Sequence, residues 1–420
     1  WLIVAKRLRT YSNRCNNSIT IPSFFSNRYR DEKKMLQVIA AIFIVIFFIP
    51  YTASGFAACG KLFSSLFGVK YLTAMIISAI VIVAYTTLGG FLAASTTDFI
   101  QSIIMSVALI VVLIFGVETA GGIGAVIHNA SELPGYLSMT LSYDVNTGKA
   151  APYSALTIVS TAAWGLGYFG MPHILLRFMA IEDEKKLKLS RRVATIWVVI
   201  SLFVAVFIGV IGYTMSKVGA LEMLTGSNSE TIIVKISALL SQHGVIFALL
   251  AGVILAGILA STMSTSDSQL LAASSAVSSD ILGAFRKDSS NKNGSMAAAR
   301  ITLLVISVVA AFIARNPDSS VFAIVSFAWA GFGAAFGPVV LFSLFWKRTN
   351  KWGALAGMVC GGSMVFIWKY LIRPLGGIWN IYELLPAFLI ACAAIVIVSL
   401  LTPKPSKEIE EEFDRVAQMK

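Results

Sequence analysis

Long apolar runs separated by short polar connections make up most of the chain. A helix needs about 20 apolar residues to cross the roughly 30 Å hydrocarbon core of a bilayer, and ten runs approach that length. The longest connection between runs, about 120–154, leaves no room for a separate catalytic domain. The pattern therefore predicts an all-α integral membrane protein with ten transmembrane helices, at about 35–60, 71–92, 98–119, 155–178, 192–215, 243–270, 297–315, 320–346, 351–373 and 379–402.

Polar segments flank these runs at both ends of the chain. The sequence opens at Trp1, and a short apolar stretch leads into Lys6 and Arg7, as at the cytoplasmic end of a helix whose start is missing from the sequence. We therefore expect three regions. They are a truncated helix end with a cytoplasmic loop at 1–34, a transmembrane bundle at 35–402 and a cytoplasmic tail at 403–420.

The composition agrees with a membrane protein and excludes an ordinary soluble enzyme. Hydrophobic residues make up 57% of the chain and charged residues 13%, against about 25% charged residues in a soluble domain. The net charge of +12 and the pI near 9.5 also occur in nucleic-acid-binding proteins. The apolar excess favours a different source for this charge, because cytoplasmic loops of membrane proteins collect lysine and arginine. We therefore expect the lipid bilayer, and not nucleic acid, as a partner.

The basic residues sort by side when the N-terminus is placed in the cytoplasm. Of the 33, 25 fall in clusters on the predicted inner side, at 6–34, 177–192, 286–300, 347–351 and 404–420. Ten spans bring both ends to the same side, so the sorting predicts a multi-pass protein of the cell inner membrane with both ends in the cytoplasm. Of the 21 acidic residues, only Asp98 and Asp267 fall within or near the predicted hydrocarbon region.

The four cysteines and three histidines have no spacing typical of a metal or catalytic site. Three of the cysteines lie in apolar runs, where cysteine is expected as a small buried hydrophobic residue. The histidines form no H-E-x-x-H or similar motif, so an intramembrane metalloprotease would have no metal ligands. The sequence therefore predicts no catalytic residues and no cofactor, and it leaves transport or sensing as the function.

Glycine and proline interrupt the fourth predicted helix near its middle. The stretch from Trp164 to Pro172 reads WGLGYFGMP, and its three glycines and one proline weaken the helical hydrogen-bond ladder. Freed backbone groups at membrane depth persist only where they line a cavity or are covered by protein, so such a break indicates a transporter binding site. Trp164 and Tyr168 lie one turn apart, as two walls of a pocket would. Close packing of small residues against another helix is the alternative.

Hydroxyl side chains follow one face of the sixth predicted helix. Their positions have i, i+3, i+4, i+7 spacing, which stacks Ser261, Ser264, Thr265 and Ser268 along that face. Asp267 lies beside this row. Hydroxyl and carbonyl oxygens suit a hard cation at low net charge, and sodium is the natural candidate. Hydrogen bonds to the preceding turn or between helices are the alternative role.

Asp98 lies at the start of the third predicted helix. A carboxylate at that position is able to cap the helix by accepting hydrogen bonds from free N–H groups. An intramembrane carboxylate is costly unless it is paired or hydrated, so a role in ion binding or coupling is the second possibility.

The chain contains several ordered motifs. They are Gly89-Gly90-Phe91 with Asp98 and Gln101, WGLGYFGMPHILLR at 164–177, Met263-Ser264-Thr265 through Gln269-Leu270-Leu271 to Ser274-Ser275, and FAWAGFGAAFGPVVLFSLFW at 327–346. Together they resemble the motifs of the sodium:solute symporter family, and most closely those of its proline-transporting members. The resemblance runs from Trp1 almost to the tail and implies a fold of the leucine-transporter type, in which two five-helix halves are inverted repeats around a midplane site. The fourth to eighth spans would form the second half, the first half would be incomplete, and additional helices would follow.

The resemblance also implies a role for individual residues. Sodium-coupled symport of a small amino acid, most closely proline, is the implied function, with sodium and proline as partners and alternating access as the mechanism. The main sodium site would use the hydroxyls of Ser264 and Thr265 and the backbone carbonyl of Ser261. A possible second cation site would comprise Ser264, Asp98, Asp267 and Ser268. The substrate site would contain Tyr51, Trp164, Tyr168 and Pro172.

Other functions remain open at this point. The resemblance also covers symporters of other small organic solutes and a non-transporting sensor domain of the same family. The short tail, 403–420, has no signalling module, which argues against the sensor. A channel would need a continuous polar stripe through several helices, whereas the polar groups here concentrate at one depth.

Overall fold

The computed structural model describes residues 2–145, 147–285 and 292–418, without the side chains of 89–94, 285 and 292–296. Trp1, two basic residues of the predicted inner cluster at 286–300 (Arg286 and Lys287) and the side chains of Gly89-Gly90-Phe91 therefore lie outside the described residues. Within the described ranges, eight helices are long and apolar enough to cross a membrane, and two shorter apolar helices accompany them. The all-α membrane class is confirmed, and each of the ten predicted spans corresponds to helical structure.

The helices follow the order of the predicted spans, with shorter elements between them. Before the first span lie α1 (Ala5–Arg14) and α2 (Ile21–Arg28), where the sequence indicated a helix end and a loop. The longer helices are α3 (Met35–Phe67), α4 (Tyr71–Thr119), α8 (Leu187–Lys217), α10 (Val245–Ser275), α12 (Lys292–Ile313), α13 (Val321–Phe345), α14 (Lys351–Ile367) and α15 (Leu384–Leu401). The shorter ones are α5 (Ile123–Glu132), α6 (Ala155–Ala162), α7 (Pro172–Ala180), α9 (Ile232–Ser241), α11 (Leu282–Phe285) and α16 (Lys407–Gln418).

The long helix α4 carries the second and third predicted spans, which run in opposite directions. Along the first of them, the Tyr85 hydroxyl donates to the carbonyl of Met263 on α10. Along the second, Ala108 lies against Gly257, which is earlier on α10, and the Phe115 ring lies 5.4 Å from the His243 ring at the start of α10. Tyr85 and Ala108 are more than six turns apart along α4, whereas their partners Met263 and Gly257 are less than two turns apart on α10. A straight α4 could not make both contacts, so the helix bends back on itself between the two spans.

The two sides of the bundle are marked by different small elements. On one side, here called the hairpin side, β1 (Leu141–Asp144) pairs antiparallel with β2 (Lys149–Pro152) just before α6. On the other, the α16 side, the amphipathic helix α16 packs against α1, with the Phe413 ring 6.5 Å from that of Tyr11. Lys347, between α13 and α14, also pairs with Asp414 at 2.6 Å. The hairpin lies in the longest predicted connection and leaves the helical bundle unchanged.

Helix α13 lies at the centre of the bundle and is buried over most of its length. Glycines on this helix allow close neighbours on three sides: Gly331 faces the Phe47 ring of α3, and Gly337 faces the Phe388 ring of α15. Gly333 faces the backbone of Gly167. This packing places α13 directly against the interrupted segment that the sequence singled out.

Candidate substrate and ion site

The fourth predicted helix is interrupted where its glycines and proline indicated. Helix α6 ends at Ala162, a 3₁₀ turn covers Ala163–Phe169, and α7 begins at Pro172. Proline is favoured at the first position of a helix because it has no N–H to leave unpaired there. The interruption is a structural feature of the chain, as predicted.

Two glycines of this segment let it approach α13 more closely than any other residue type would. A Cβ atom on Gly170 would overlap the carbonyl oxygen of Phe332 and lie 2.8 Å from the nitrogen of Gly337. A Cβ atom on Gly167 would overlap the indole of Trp329. The interrupted segment and α13 are therefore in backbone contact, as close-packed membrane helices with small residues at the interface can be.

Trp164 and Tyr168 lie against Trp329 of α13. The Trp164 and Trp329 rings stack with centroids 5.2 Å apart and planes 15° apart. The Trp329 Nε1–H also donates to the carbonyl of Trp164 at 2.9 Å, which satisfies a backbone group freed by the interruption. The Tyr168 ring meets Trp329 edge-on at 4.8 Å, and 49% of this residue remains exposed. The structure thus brings two of the four predicted substrate residues together around Trp329.

Tyr51, on α3, packs against the start of α7, where Pro172 is the first residue. Tyr51 is buried on α3, and its ring contacts His173 with centroids 6.1 Å apart. Pro172, also buried, precedes that histidine in the chain. The four predicted substrate residues therefore border the interruption in two pairs, with Trp164 and Tyr168 on one part and Tyr51 and Pro172 on the other.

The aromatic surroundings of Trp164 extend further than the sequence indicated. Besides Trp329, its ring stacks on Phe322 at 5.5 Å and on Tyr382 at 6.0 Å. Trp329 lies in a glycine-rich motif that the sequence had singled out, whereas Phe322 and Tyr382 belong to no recognisable motif. Only the fold brings them from the start of α13 and the α14–α15 connection to the same indole.

The hydroxyl row on α10 keeps the geometry that its spacing predicts. Ser264 Oγ and Thr265 Oγ1 both donate to the carbonyl of Ser261, at 3.1 and 3.0 Å. Ser261 and Thr265 are exposed along this face. These bonds to the preceding turn are the alternative role that the sequence left open, and they place two hydroxyl oxygens and one carbonyl oxygen within one helical turn.

Asp98 and Ser268 are joined by a residue from the interrupted helix. Arg177, on α7, donates from Nη2 to Asp98 Oδ2 at 2.6 Å and to Ser268 Oγ at 3.0 Å. These three side chains lie where α7, α10 and the second half of α4 meet. A cavity of about 440 Å³ adjoins them on the α16 side and is lined by Arg177, Ser268, His173, Ser275 and Thr20, among others.

Asp267 is fully buried and turned toward a different neighbour. Its Oδ2 accepts a hydrogen bond from the hydroxyl of Tyr85 on α4 at 3.2 Å. Asp267 therefore lies on the face of α10 beside the hydroxyl row, and the structure brings Asp98 and Ser268 together through Arg177 without it.

Comparisons with known proteins agree with this architecture. Residues 1–361 match the model of the sodium:solute symporter family. The chain is 40% identical to the high-affinity proline transporter PutP of Bacillus subtilis, over 99% of this chain and 83% of the relative. It is 38% identical to the osmoregulated proline transporter OpuE of the same organism, over 97% and 79%. With the sodium/proline symporter of Escherichia coli it shares 37% identity, over 98% and 79%.

A solved structure has the same fold. The substrate-bound outward-open state of a Na⁺-coupled sialic acid symporter superposes with a TM-score of 0.74 over 95% of this chain and 80% of that one. The sequence identity is 16%, so this likeness concerns the arrangement of helices.

Proposed function

The chain belongs to the sodium:solute symporter family, and we propose that it carries proline across the cytoplasmic membrane together with sodium by alternating access. The family consists of sodium-coupled transporters and not of enzymes. The curated relatives that cover nearly the whole chain are proline transporters. The single observation that carries the proposal is the cluster of Trp164, Tyr168 and Trp329 around an interrupted transmembrane helix.

The substrate site suits a compact amino acid. Proline is a small zwitterion with an apolar ring, so aromatic faces favour its ring and its ammonium group, while backbone groups and sodium meet its charges. A sugar would instead need several amides and carboxylates for its hydroxyl groups. The residues proposed for the substrate site, Tyr51, Trp164, Tyr168 and Pro172, supply none of these side chains.

The proposed ion sites use oxygen atoms on α10 and α4. The Ser264 and Thr265 hydroxyls and the Ser261 carbonyl are the proposed sodium ligands. Asp98 and Ser268 would hold a second cation, and the buried carboxylate of Asp267 would add negative charge close to it. Because Arg177 already contacts Asp98 and Ser268, a cation at this second site would take the place of its guanidinium group.

The proposed site is more open on one side than on the other. Stacked rings of Phe322, Trp164 and Tyr382 cover it toward the hairpin side, whereas the cavity beside Arg177 lies toward the α16 side. With the α16 side in the cytoplasm, as the distribution of basic residues favours, this arrangement would correspond to an inward-facing state. Sodium that favours the outward-facing state would raise the affinity for substrate, and the coupling would be reciprocal.

Uptake of radiolabelled proline into proteoliposomes tests the function. An inward sodium gradient should drive saturable accumulation of proline, and a potassium gradient of the same size should not. Competition by sugars and by other amino acids at tenfold excess then measures selectivity. Uptake that is absent, or that does not depend on sodium, would contradict the proposal.

Removing one hydroxyl of the proposed sodium site should weaken sodium binding. Thr265→Ala is expected to raise the sodium concentration for half-maximal uptake about tenfold, because a lost oxygen ligand that is not replaced costs about 1–3 kcal/mol. The measurement is the sodium dependence of initial uptake rates.

Thr262→Ala provides the matched control. Thr262 lies on the same helix and donates to the carbonyl four residues earlier, as Thr265 does, but it faces Gly55 of α3. An equal rise in both variants would show that helix integrity, and not a sodium ligand, is what the measurement reports.

A further inference from the structure

The α14–α15 connection reaches over the interrupted helix, which it contacts at two points, and it contacts α13 at a third. Tyr382, immediately before α15, is only 9% exposed, and its ring lies parallel to that of Trp164 within 15°. Its hydroxyl donates to the carbonyl of Ser326 on α13 at 2.6 Å. Its backbone N–H donates to Ser160 Oγ on α6 at 2.7 Å. One residue thus joins α6, α13 and the indole proposed for the substrate site.

Two partly exposed basic side chains around a buried carboxylate anchor this connection. Glu383 follows Tyr382 and is 1% exposed, yet its carboxylate lies 2.8 Å from Arg373 Nη1 and 3.7 Å from Lys369 Nζ. Arg373 also donates from Nε to Asn380 Oδ1 at 3.0 Å, which ties the loop to itself. A carboxylate at this depth is retained only with such partners. Tyr382 is therefore presented from an anchored segment.

Trp164 has aromatic neighbours on two separate elements, α13 and the α14–α15 connection. Trp329 belongs to α13, which contacts the interrupted segment, whereas Tyr382 is held by the anchored connection outside both proposed five-helix halves. Stacking fixes the plane of the indole, and the hydrogen bonds of Tyr382 fix the plane of its own ring. The orientation of Trp164 toward the substrate space thus depends on a residue that belongs to neither proposed half.

We propose that Tyr382 is a positioning residue that orients Trp164 for substrate binding and so sets the affinity of the transporter for its substrate. This inference rests on the proposed function of the aromatic site. Tyr382 acts by stacking its ring on the indole of Trp164. Hydrogen bonds to Ser326 and Ser160 hold Tyr382 in place.

Replacing the Tyr382 ring with an apolar side chain that is not aromatic tests this role. Tyr382→Leu is expected to raise the KM for proline about three- to tenfold, the range that loss of an aromatic stacking pair gives, with a smaller change in maximal rate. Tyr382→Phe keeps the stack and loses only the hydrogen bond to Ser326, so its KM should stay within about twofold of wild type. Initial uptake rates in proteoliposomes, normalised to the protein incorporated, provide both constants.

A double-mutant cycle separates positioning from general stabilisation. In a Trp164→Phe background the additional effect of Tyr382→Leu on KM should shrink, because residues in one network are not additive. Tyr370→Ala is the matched control, since this aromatic residue lies on the same side, is 60% exposed and contacts Phe327 instead. Its KM should equal that of the wild type.

The outcomes distinguish this inference from the function on which it rests. Absence of sodium-driven proline uptake by the wild-type protein would overturn the proposed function. Wild-type uptake with an unchanged KM in Tyr382→Leu, or an equal and additive effect in the Trp164→Phe background, would overturn only the positioning role. If Tyr382→Leu is not recovered as folded protein, Tyr382→Met takes its place, because it also removes the stacked ring and leaves an apolar side chain; an unchanged KM there would also count against the inference.

Discussion

Gly170→Ala should strongly reduce sodium-driven proline uptake. The new Cβ atom would overlap the carbonyl oxygen of Phe332 and crowd the nitrogen of Gly337, and neither backbone atom is able to rotate away. Overpacking of this kind costs about 1–3 kcal/mol or more. Because the segment must also move against α13 during alternating access, we expect uptake to fall at least about tenfold, with a lower thermal midpoint in detergent.

Gly165→Ala is the control for this prediction. Gly165 lies in the same interrupted segment, but a Cβ atom there would have no neighbour within 4 Å. It should therefore retain most of its uptake and its thermal midpoint. Equal losses in both variants would indicate that the segment needs glycine for backbone freedom, and the argument from contact with α13 would fail.

The second large effect is expected at Asp98. Asp98→Asn removes the negative charge at the proposed second cation site while keeping the side-chain shape. A unit charge at about 4 Å contributes on the order of 4 kcal/mol at an effective dielectric constant of about 20, and dehydration of the ion offsets part of it. We expect the sodium concentration for half-maximal uptake to rise by at least about tenfold, together with a lower ratio of sodium to proline transported.

Two further variants separate ion binding from the ion pair with Arg177. Arg177→Gln breaks the same pair but leaves the carboxylate, so it should not raise the half-maximal sodium concentration. Asp280→Asn changes another buried carboxylate at the α16 side, which accepts hydrogen bonds from Thr20 and Gln37, and it should leave sodium dependence unchanged. If Arg177→Gln reproduces the effect of Asp98→Asn, the carboxylate serves the ion pair and not a cation.

Much of the fold could be predicted because hydrophobic length and charge are local properties of a membrane chain. The ten apolar runs correspond to helical segments, and the two runs joined in α4 are still antiparallel spans. The predicted boundaries differ from the observed ones where apolar residues continue past a helix end. The last span, for example, was expected from 379 but begins at Leu384, because the preceding residues form the connection that carries Tyr382.

The site could be predicted only in part. Glycine and proline at 164–172 indicated the interruption, since these residues alter the backbone wherever they occur. The spacing of the α10 hydroxyls indicated their shared face. Neither pattern contains the direction of a neighbouring helix, so the contact of Arg177 with Asp98 and the turn of Asp267 toward Tyr85 were not predictable from one sequence.

The sequence by itself determined the membrane class, the number of spans, the break in the fourth of them and the oxygen-rich face of the sixth, because each depends on residues that are close along the chain. Only the tertiary structure decided which groups meet across long separations. Trp164 acquires Trp329 and Tyr382 as neighbours from residues 165 and 218 positions later in the chain, and such contacts depend on how whole helices pack. Helix packing is set by the summed shape of many side chains, of which the small residues on α13 are the most visible here.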